Sequence, residues 1–260
     1  MVLRLGGGGD FRGCIRVSRN STRLNGVRIY LEGKRRLHQI YSADDGKHPD
    51  LLRCFVSVRS LMALFIETDP VVNNEDGGED NHPLPHPHHP ANIEDHFELS
   101  YDLTPVRPGD DQDADGLSST CHPCSPAKLL SLFCLADFVL SGRVTYYHHR
   151  PEVALTSFHV TPTYVHRYPS PKDGAYLNDF NATSSSSSSS NLEDSNSKLG
   201  PVRLNRPLRC AAQAEARTEY LFIGRKVLGN YLITCAPRLT EWRAIARRAL
   251  AEGTNQCHFF

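Results

Sequence analysis

The first hundred residues alternate between apolar and polar positions, a pattern that predicts β-strands. Residues 14–17 alternate in this way, and so do residues 27–31, which run into a turn signal at 32–34. Residues 37–41 then complete the pattern of a β-hairpin. The other strand candidates in this region are residues 54–56, 61–66 and 97–103.

A second pattern begins at Cys121 and combines strands with helices. Ser125 followed by Pro126 predicts a helix start, with serine as the N-cap and proline at the first helical position. Apolar runs separated by turn residues then predict four strands. These are residues 137–147, 153–164, 220–224 and 231–234.

The last predicted element is an amphipathic helix over residues 240–252, which Thr240 is expected to cap and Gly253 to end. One face is apolar and comprises Trp242, Ile245, Ala246, Ala249 and Leu250. We therefore expect Trp242 to be a core anchor that docks this helix. The alternative is an exposed receptor contact, where tryptophan is often an energetic hot spot.

Three stretches have a composition that predicts disorder or a linker, since they are poor in groups that bury apolar surface. Residues 70–95 contain a His/Pro run at 82–90, and residues 166–200 contain seven consecutive serines. Residues 104–120 are rich in Pro, Gly and Asp and are predicted to be an interdomain linker.

The formal net charge is zero, with 29 basic and 29 acidic residues. A neutral chain lacks the electrostatic basis for wrapping nucleic acid or an anionic membrane, so neither partner is expected. No apolar run approaches the ~18 residues of a membrane-spanning helix, so membrane insertion is not expected either.

Eight widely spread cysteines predict a disulfide framework in an oxidising compartment. The alternative is a zinc protein, which usually has two tight Cys/His clusters, but only Cys121 and Cys124 are close in sequence. A redox role for this Cys-x-x-Cys pair is also less expected, because the pair follows a linker rather than a strand.

Two sequons, at Asn20 and Asn181, are candidate glycosylation sites and fit secretion. The first twelve residues contain no apolar stretch of the kind that a secretory signal needs. The chain is therefore expected to be either cytosolic or a secreted protein without its signal peptide. The cysteines favour the second.

No motif of a catalytic, phosphate-binding or calcium-binding site is present, so we expect neither an enzyme nor a cofactor. His148 and His149 are expected in an exposed turn. The histidines of the His/Pro run are expected to bind metal weakly or not at all, because prolines separate them. They are His82, His86, His88 and His89.

A basic set on the last helix has two interpretations. It is either a solvated helix face or a patch for heparan-type sulfates or an acidic receptor. Its members are Arg238, Arg243, Arg247 and Arg248.

Residues 121–257 resemble a netrin-like (NTR) module, an OB-like β-barrel with two flanking helices. The resemblance is carried by residues 121–124, 133–144 and 219–224 and by the helix that contains Trp242. It implies that the six cysteines of this region pair as Cys121–Cys210, Cys124–Cys235 and Cys134–Cys257.

The remaining sequence narrows this resemblance to the meteorin family. Residues 26–32, 53–55, 64–68 and 97–101 resemble the CUB-like first domain of that family, and residues 232–239 and 255–257 its last cysteine contexts. The fold expected is mainly β, with a truncated CUB-like β-sandwich over 1–103 and the NTR-like domain over 121–257. Cys14 and Cys54 are the only cysteines of the first domain, so they are expected to pair.

Family members begin with a signal peptide, a cysteine pair and a tryptophan-containing segment, none of which this sequence has. The first domain is therefore expected to lack edge strands and to expose unpaired backbone. The resemblance implies a secreted signalling ligand that binds a cell-surface receptor in glial or neuronal differentiation, axon growth or hormone-like metabolic control.

Two rival functions remain from other classes. One is a matrix protein that binds heparan sulfate. The other is a protease inhibitor, but in NTR modules that chemistry uses the free amino group of an N-terminal cysteine, and Cys121 is internal.

Overall fold

The computed structural model describes most of the chain, and every structural statement below concerns those residues. The chain divides into two compact units, Met1–Val106 and Arg107–Phe260. The described residues are 1–18, 21, 26–68, 96–106, 121, 123–169, 200–210, 215, 217–255 and 257–258.

The N-terminal unit is built from antiparallel strands in two sheets, so the strand alternation seen in the sequence is confirmed. One sheet has the order β1-β6-β3-β4 and the other the order β5-β2-β7. The strands are β1 (Val2–Gly6), β2 (Phe11–Val17), β3 (Val27–Glu32), β4 (Leu37–Ser42), β5 (Arg53–Val56), β6 (Leu61–Thr68) and β7 (Leu99–Pro105).

The core of this unit lies between the two sheets, because both contribute alternate residues to one apolar cluster. Ile15 and Val17 of β2 and Ile29 and Leu64 of the facing sheet are almost completely buried. Alternation places one face of each strand toward this layer. The arrangement is therefore the predicted β-sandwich.

Two expectations for this unit are wrong. The first strand was expected at residues 14–17, yet β1 precedes it and runs antiparallel to β6 with Val2 opposite Phe65 and Leu5 opposite Met62. Leu5 is buried in the core, which explains why the segment is held. The predicted linker also began too early, because β7 continues to Pro105, which pairs with Phe11.

The C-terminal unit is a closed five-stranded barrel with the strand order β10-β12-β11-β8-β9. All pairs are antiparallel except β10 with β12, which is parallel. This is the topology of the OB-type barrel that the resemblance to an NTR module implies. The strands are β8 (Phe138–Arg150), β9 (Leu155–Arg167), β10 (Val202–Pro207), β11 (Glu219–Val227) and β12 (Asn230–Cys235).

The barrel interior is filled by side chains from all five strands, including Leu140, Phe158, Leu204 and Phe222. Gly224 of β11 lies where two elements approach closely. A Cβ at this position would meet the Leu232 carbonyl oxygen at 2.1 Å and the Phe138 ring at 2.4 Å. The strand is therefore able to pass this point only with glycine.

Two helices flank the barrel, as predicted. Helix α1 (Pro126–Leu135) has Ser125 as its N-cap, and the serine side chain accepts a hydrogen bond from the Lys128 N–H. Helix α2 (Leu239–Ala251) is followed by Gly253 in the left-handed conformation, with φ of 64°.

Three boundary predictions in this unit are corrected by the structure. Arg238, not Thr240, is the N-cap of α2, and it makes no side-chain capping bond. Leu250 is 44% exposed and does not belong to the buried face of the helix. Residues 166 and 167, which the sequence assigned to an insertion, belong to β9, and Arg167 pairs with Val139 in the barrel.

Candidate interaction surfaces of the C-terminal unit

Three disulfides tie the segments around the barrel together, and they are the pairs that the resemblance implies. Cys121 is bonded to Cys210, just after β10, and Cys124 before α1 is bonded to Cys235 at the end of β12. The third bridge joins Cys134 in α1 to Cys257 beyond α2. Both helices are thereby linked covalently to distant parts of the unit.

The same connectivity bears on the Cys-x-x-Cys pair. Cys121 and Cys124 are bonded to two different distant cysteines, and no free cysteine is found in the described part of the chain. A dithiol that cycles between reduced and oxidised forms needs the two sulfurs to bond to each other. This pair therefore has a structural role here.

An aromatic stack joins the two helices to the barrel. Trp242 of α2 is 1% exposed, and its ring stacks on Phe133 of α1 with the ring centroids 4.7 Å apart. Phe133 in turn contacts the ring of His166 in β9 at 5.1 Å. Trp242 is therefore the predicted core anchor, and its burial excludes a direct receptor contact. Burial also lowers the pKa of His166.

Arg167 caps the C-terminal end of α1. Its Nη1 atom donates hydrogen bonds to the carbonyl oxygens of Cys134 at 3.2 Å and Ala136 at 2.6 Å. A cation at this position also interacts favourably with the negative end of the helix dipole. Sequence reasoning missed this contact, because the guanidinium comes from a strand about thirty residues downstream and only the register of β9 brings it there.

The basic set on α2 is exposed but is not a uniform patch. Arg238 forms an ion pair with Glu215, so its charge is partly compensated. Arg247 donates from Nε to the Arg243 carbonyl oxygen at 3.2 Å, along the helix surface. Arg243, Arg247 and Arg248 thus remain as the outward basic side chains of this helix.

The expectation that His148 and His149 form an exposed turn is wrong, because both lie within β8. They pair with Ser157 and Thr156 of β9, and His149 Nδ1 is 3.0 Å from the Thr156 hydroxyl. The predicted strand ended at Tyr147 and so suggested a turn after it, but a long hairpin extends through these residues. His148 instead belongs to an aromatic and basic group on the outer wall of the barrel.

In the N-terminal unit, Tyr41 and Arg53 belong to one network of side-chain contacts. Arg53 forms an ion pair with Asp45 at 3.2 Å, lies 5.0 Å from the Tyr41 ring centroid and donates to the Leu51 carbonyl oxygen at 3.1 Å. Burial raises the Tyr41 pKa, the Arg53 charge lowers it and the Asp45 charge raises it. These contacts hold the segment between β4 and β5 and indicate a structural role.

Several predicted sites fall outside the described residues. They are the sequons at Asn20 and Asn181 and the histidines His82, His86, His88 and His89. Within the described part of the chain, no group of three or more His, Cys, Asp or Glu side chains is arranged to hold a metal ion. None of the described helices has the length and apolar character needed to cross a membrane.

Residues 123–249 match the family model described as Meteorin, C-terminal domain. The C-terminal unit has the meteorin-family C-terminal domain. The matched stretch contains the whole barrel and most of α2, together with Cys124, Cys134, Cys210 and Cys235. In this meteorin-family barrel, the remaining cysteines Cys121 and Cys257 lie just outside the matched stretch and close two of the three bridges.

Three relatives show how much of the chain the similarity covers. The human meteorin-like protein is 26% identical over 246 residues, which cover 92% of this chain and 64% of the relative. The rat meteorin-like protein is 27% identical over 54% of this chain and 40% of its own length. The zebrafish meteorin-like protein is 28% identical over 62% of this chain and 48% of its own length. The chain therefore spans less than two thirds of these relatives.

Proposed function

We propose that this chain acts as an extracellular signalling ligand of the meteorin type, which binds a cell-surface receptor and carries out no chemistry. The observation that carries the proposal is the match of residues 123–249 to the meteorin C-terminal domain. The processes that this relationship suggests are glial and neuronal differentiation, axon growth and hormone-like metabolic control.

The architecture of the C-terminal unit supports recognition by surfaces that are formed before binding. Its helices are linked to distant segments by three disulfides. Trp242 and Phe133 stack in the layer behind the exposed face of α2. A rigid surface loses little conformational entropy when a partner binds, and this favours affinity.

Secretion is part of the same proposal. Disulfides form and persist in oxidising compartments and are rare in the cytosol. Four of them are present in the structure, and every described cysteine is bonded. We propose that the chain works outside the cell, where these bonds are stable.

The outward face of α2 is the receptor contact that we propose. Arg243, Arg247 and Arg248 are exposed there. Charged side chains at the rim of an interface mainly accelerate association and impose orientation. A receptor with an acidic complementary surface is the partner that this face fits.

The test is a cell-surface binding assay with the labelled full chain, exported behind an appended signal peptide. We expect saturable binding to glial or neuronal cells that unlabelled protein displaces. The charge-reversal variant Arg243→Glu with Arg247→Glu should bind more weakly and associate more slowly.

The matched control reverses two exposed arginines in the other unit, Arg35→Glu with Arg36→Glu, and so changes the net charge equally. It should bind like the unmodified chain. Binding that does not saturate would contradict the ligand proposal. Equal loss of binding in both variants would show that total charge, not the α2 face, governs association.

A further inference from the structure

The outer wall of the barrel carries a compact group of four side chains on three adjacent strands. Tyr146 of β8 lies directly opposite His159 of β9, and His159 lies opposite Arg203 of β10. Directly opposed residues share a face of the sheet, and so do residues two apart, which adds His148 to the group. We call Tyr146, His148, His159 and Arg203 the wall cluster.

The wall cluster faces outward because its neighbours along the strands face inward. Phe158 and Val160 flank His159, Val202 and Leu204 flank Arg203, and all four are buried in the barrel core. Successive side chains of a strand point to opposite faces. Ser157 and Asn205 lie two residues from His159 and Arg203 on the same two strands. The Ser157 hydroxyl donates a hydrogen bond to the Asn205 side chain at 2.7 Å, which fixes the pairing of β9 with β10.

The rings of the cluster are in direct contact. Tyr146 and His159 stack with centroids 3.9 Å apart and planes inclined by 13°. His148 lies 5.6 Å from His159 and 6.4 Å from Tyr146, measured between ring centroids. Tyr146 is nevertheless 56% exposed. One side of this stack is therefore presented to solvent as a flat aromatic surface.

The charged neighbours of His159 are all potential cations. Burial lowers the His159 pKa, and the nearby His148 and Arg203 lower it further. Tyr146 and His148 face it from β8, and Arg203 faces it from β10. Among the described residues, no carboxylate forms an ion pair with Arg203 or His148. Two acids on neighbouring elements have other partners: Glu152, in the turn between β8 and β9, pairs with Arg150, and Glu219 of β11 accepts from Thr163.

A site with crowded cationic groups, no acidic partner and an exposed aromatic ring fits an anionic ligand that also has apolar faces. Sulfated sugars have both features, because sulfate groups accept charge-assisted hydrogen bonds and the ring faces of sugars are apolar. The cluster lies on the first three strands of an OB-type barrel, and the face of strands two and three is where such barrels bind oligosaccharides.

The closed barrel argues against an extended acidic peptide as the occupant. Peptides that bind to sheets usually add a strand to an open edge, where backbone hydrogen bonds give affinity. A closed barrel has no such edge. A polysaccharide needs only the side chains that the wall cluster offers.

We propose that the wall cluster binds a sulfated polysaccharide, with a sulfate on Arg203 and the two histidines and a sugar ring against Tyr146. Binding should strengthen as the pH falls, because the bound anion stabilises the protonated imidazole of His159. This site is separate from the α2 arginines, and the proposal does not depend on the receptor proposed above.

The experiment measures the affinity of a heparin-derived octasaccharide for the purified full chain by calorimetry, at about pH 5.5 and about pH 7.5. The unmodified chain should bind more tightly at the lower pH. Arg203→Ala should weaken binding by about tenfold at both, the effect of losing one charge-assisted hydrogen bond. His159→Gln should remove most of the pH dependence, and Tyr146→Ala should weaken binding at both pH values.

The matched control is Arg35→Ala with Arg36→Ala, which removes two exposed arginines from the N-terminal unit. It should change the affinity by less than about twofold, and thermal melts should show that all variants are folded. No measurable octasaccharide binding would overturn the proposal. Loss of binding in this control variant, with normal binding in folded Arg203→Ala, would do the same. If a tyrosine-sulfated peptide binds as tightly as the octasaccharide, a sulfated polysaccharide is the wrong ligand for the wall cluster.

Discussion

The two units of the chain use disulfides in different ways. In the sandwich, Cys14 and Cys54 are directly opposite each other on neighbouring strands, so their bond joins residues that hydrogen-bonded strand pairing already brings together. In the barrel unit, the three bridges join segments separated by 89, 111 and 123 residues. They attach helix α1 and the segment before it to distant parts of the unit, and of their six cysteines only Cys235 lies in a paired strand.

This difference indicates what each unit depends on. In the chain-entropy account, a bridge closing a loop of about 100 residues contributes almost 5 kcal/mol, and one closing about 40 residues contributes about 4 kcal/mol. A domain is stable by roughly 5–15 kcal/mol. Three long bridges together reach the upper part of that range, whereas a single bridge does not. The sandwich therefore depends mainly on its buried layer, and the barrel unit depends on its cross-links.

The largest effect of a single substitution is expected at the junction between helices and barrel. Trp242→Ala should lower the free energy of unfolding of the C-terminal unit by about 3–5 kcal/mol, because the side chain is buried and stacked on Phe133. Leu250→Ala on the same helix is the control, since Leu250 is 44% exposed and should cost under about 0.5 kcal/mol. Chemical denaturation of both variants measures this, and equal effects would show that α2 is not docked through Trp242.

A comparable substitution in the sandwich tests its dependence on the apolar layer. Leu64→Ala should cost about 2–5 kcal/mol, because Leu64 is completely buried between the sheets. Leu61→Ala on the same strand removes the same group from a side chain that is 48% exposed. It should have little effect on the denaturation midpoint. A Leu64→Ala variant as stable as Leu61→Ala would mean that the two sheets do not share a tight core.

Steric crowding in the barrel predicts a smaller loss at Gly224. Gly224→Ala should destabilise the C-terminal unit by about 1–3 kcal/mol, because the added methyl group meets the Leu232 carbonyl oxygen and the Phe138 ring. The control is Gly200→Ala, because a Cβ at Gly200 would meet nothing within 4 Å. Gly229→Ala is unsuitable as a control, because Gly229 has a positive φ that alanine rarely adopts. A lower melting temperature for Gly200→Ala than for Gly224→Ala would contradict the close approach of β11 and β12.

The smallest effect is a pH dependence of the stability of the barrel unit. Because the folded-state pKa of His166 is lowered by burial, the unfolded chain takes up the proton first as the pH falls below about 6.5. The contribution of His166 to the stability of the barrel unit is complete above this pH. It should be lost progressively as the pH falls toward the lower pKa that His166 has in the folded state. His166→Gln should flatten this decline in denaturation series between about pH 8 and pH 5. His159, whose pKa is also lowered, contributes in the same direction, so some decline should persist.

Much of this fold was predictable from the sequence, because alternation and capping signals are local. The β3–β4 hairpin, the Ser125 cap and the burial of Trp242 all follow from patterns within a few residues. The strand β1 was missed because its neighbouring glycines are typical of a flexible segment, and only its pairing with β6 stabilises it.

The candidate binding surface was harder to predict, for a related reason. Tyr146, His159 and Arg203 are far apart in sequence and meet only through the register of three strands. A run of polar aromatic residues at 146–149 was the available signal, but the sequence predicts that the strand ends at Tyr147 and that His148 and His149 form a turn. Side-chain chemistry that depends on strand register cannot be read from single segments.

The most direct test of the difference between the units is hydrogen exchange of the full chain, with and without a strong thiol reductant, followed by mass spectrometry of peptides from both units. After reduction, peptides from β8, β9 and β11 should lose their protection, because the barrel unit loses all three cross-links. Peptides from β3 and β6 should stay protected, since their apolar layer and strand pairing remain. If the sandwich loses protection while the barrel keeps it, the account of what stabilises each unit is wrong.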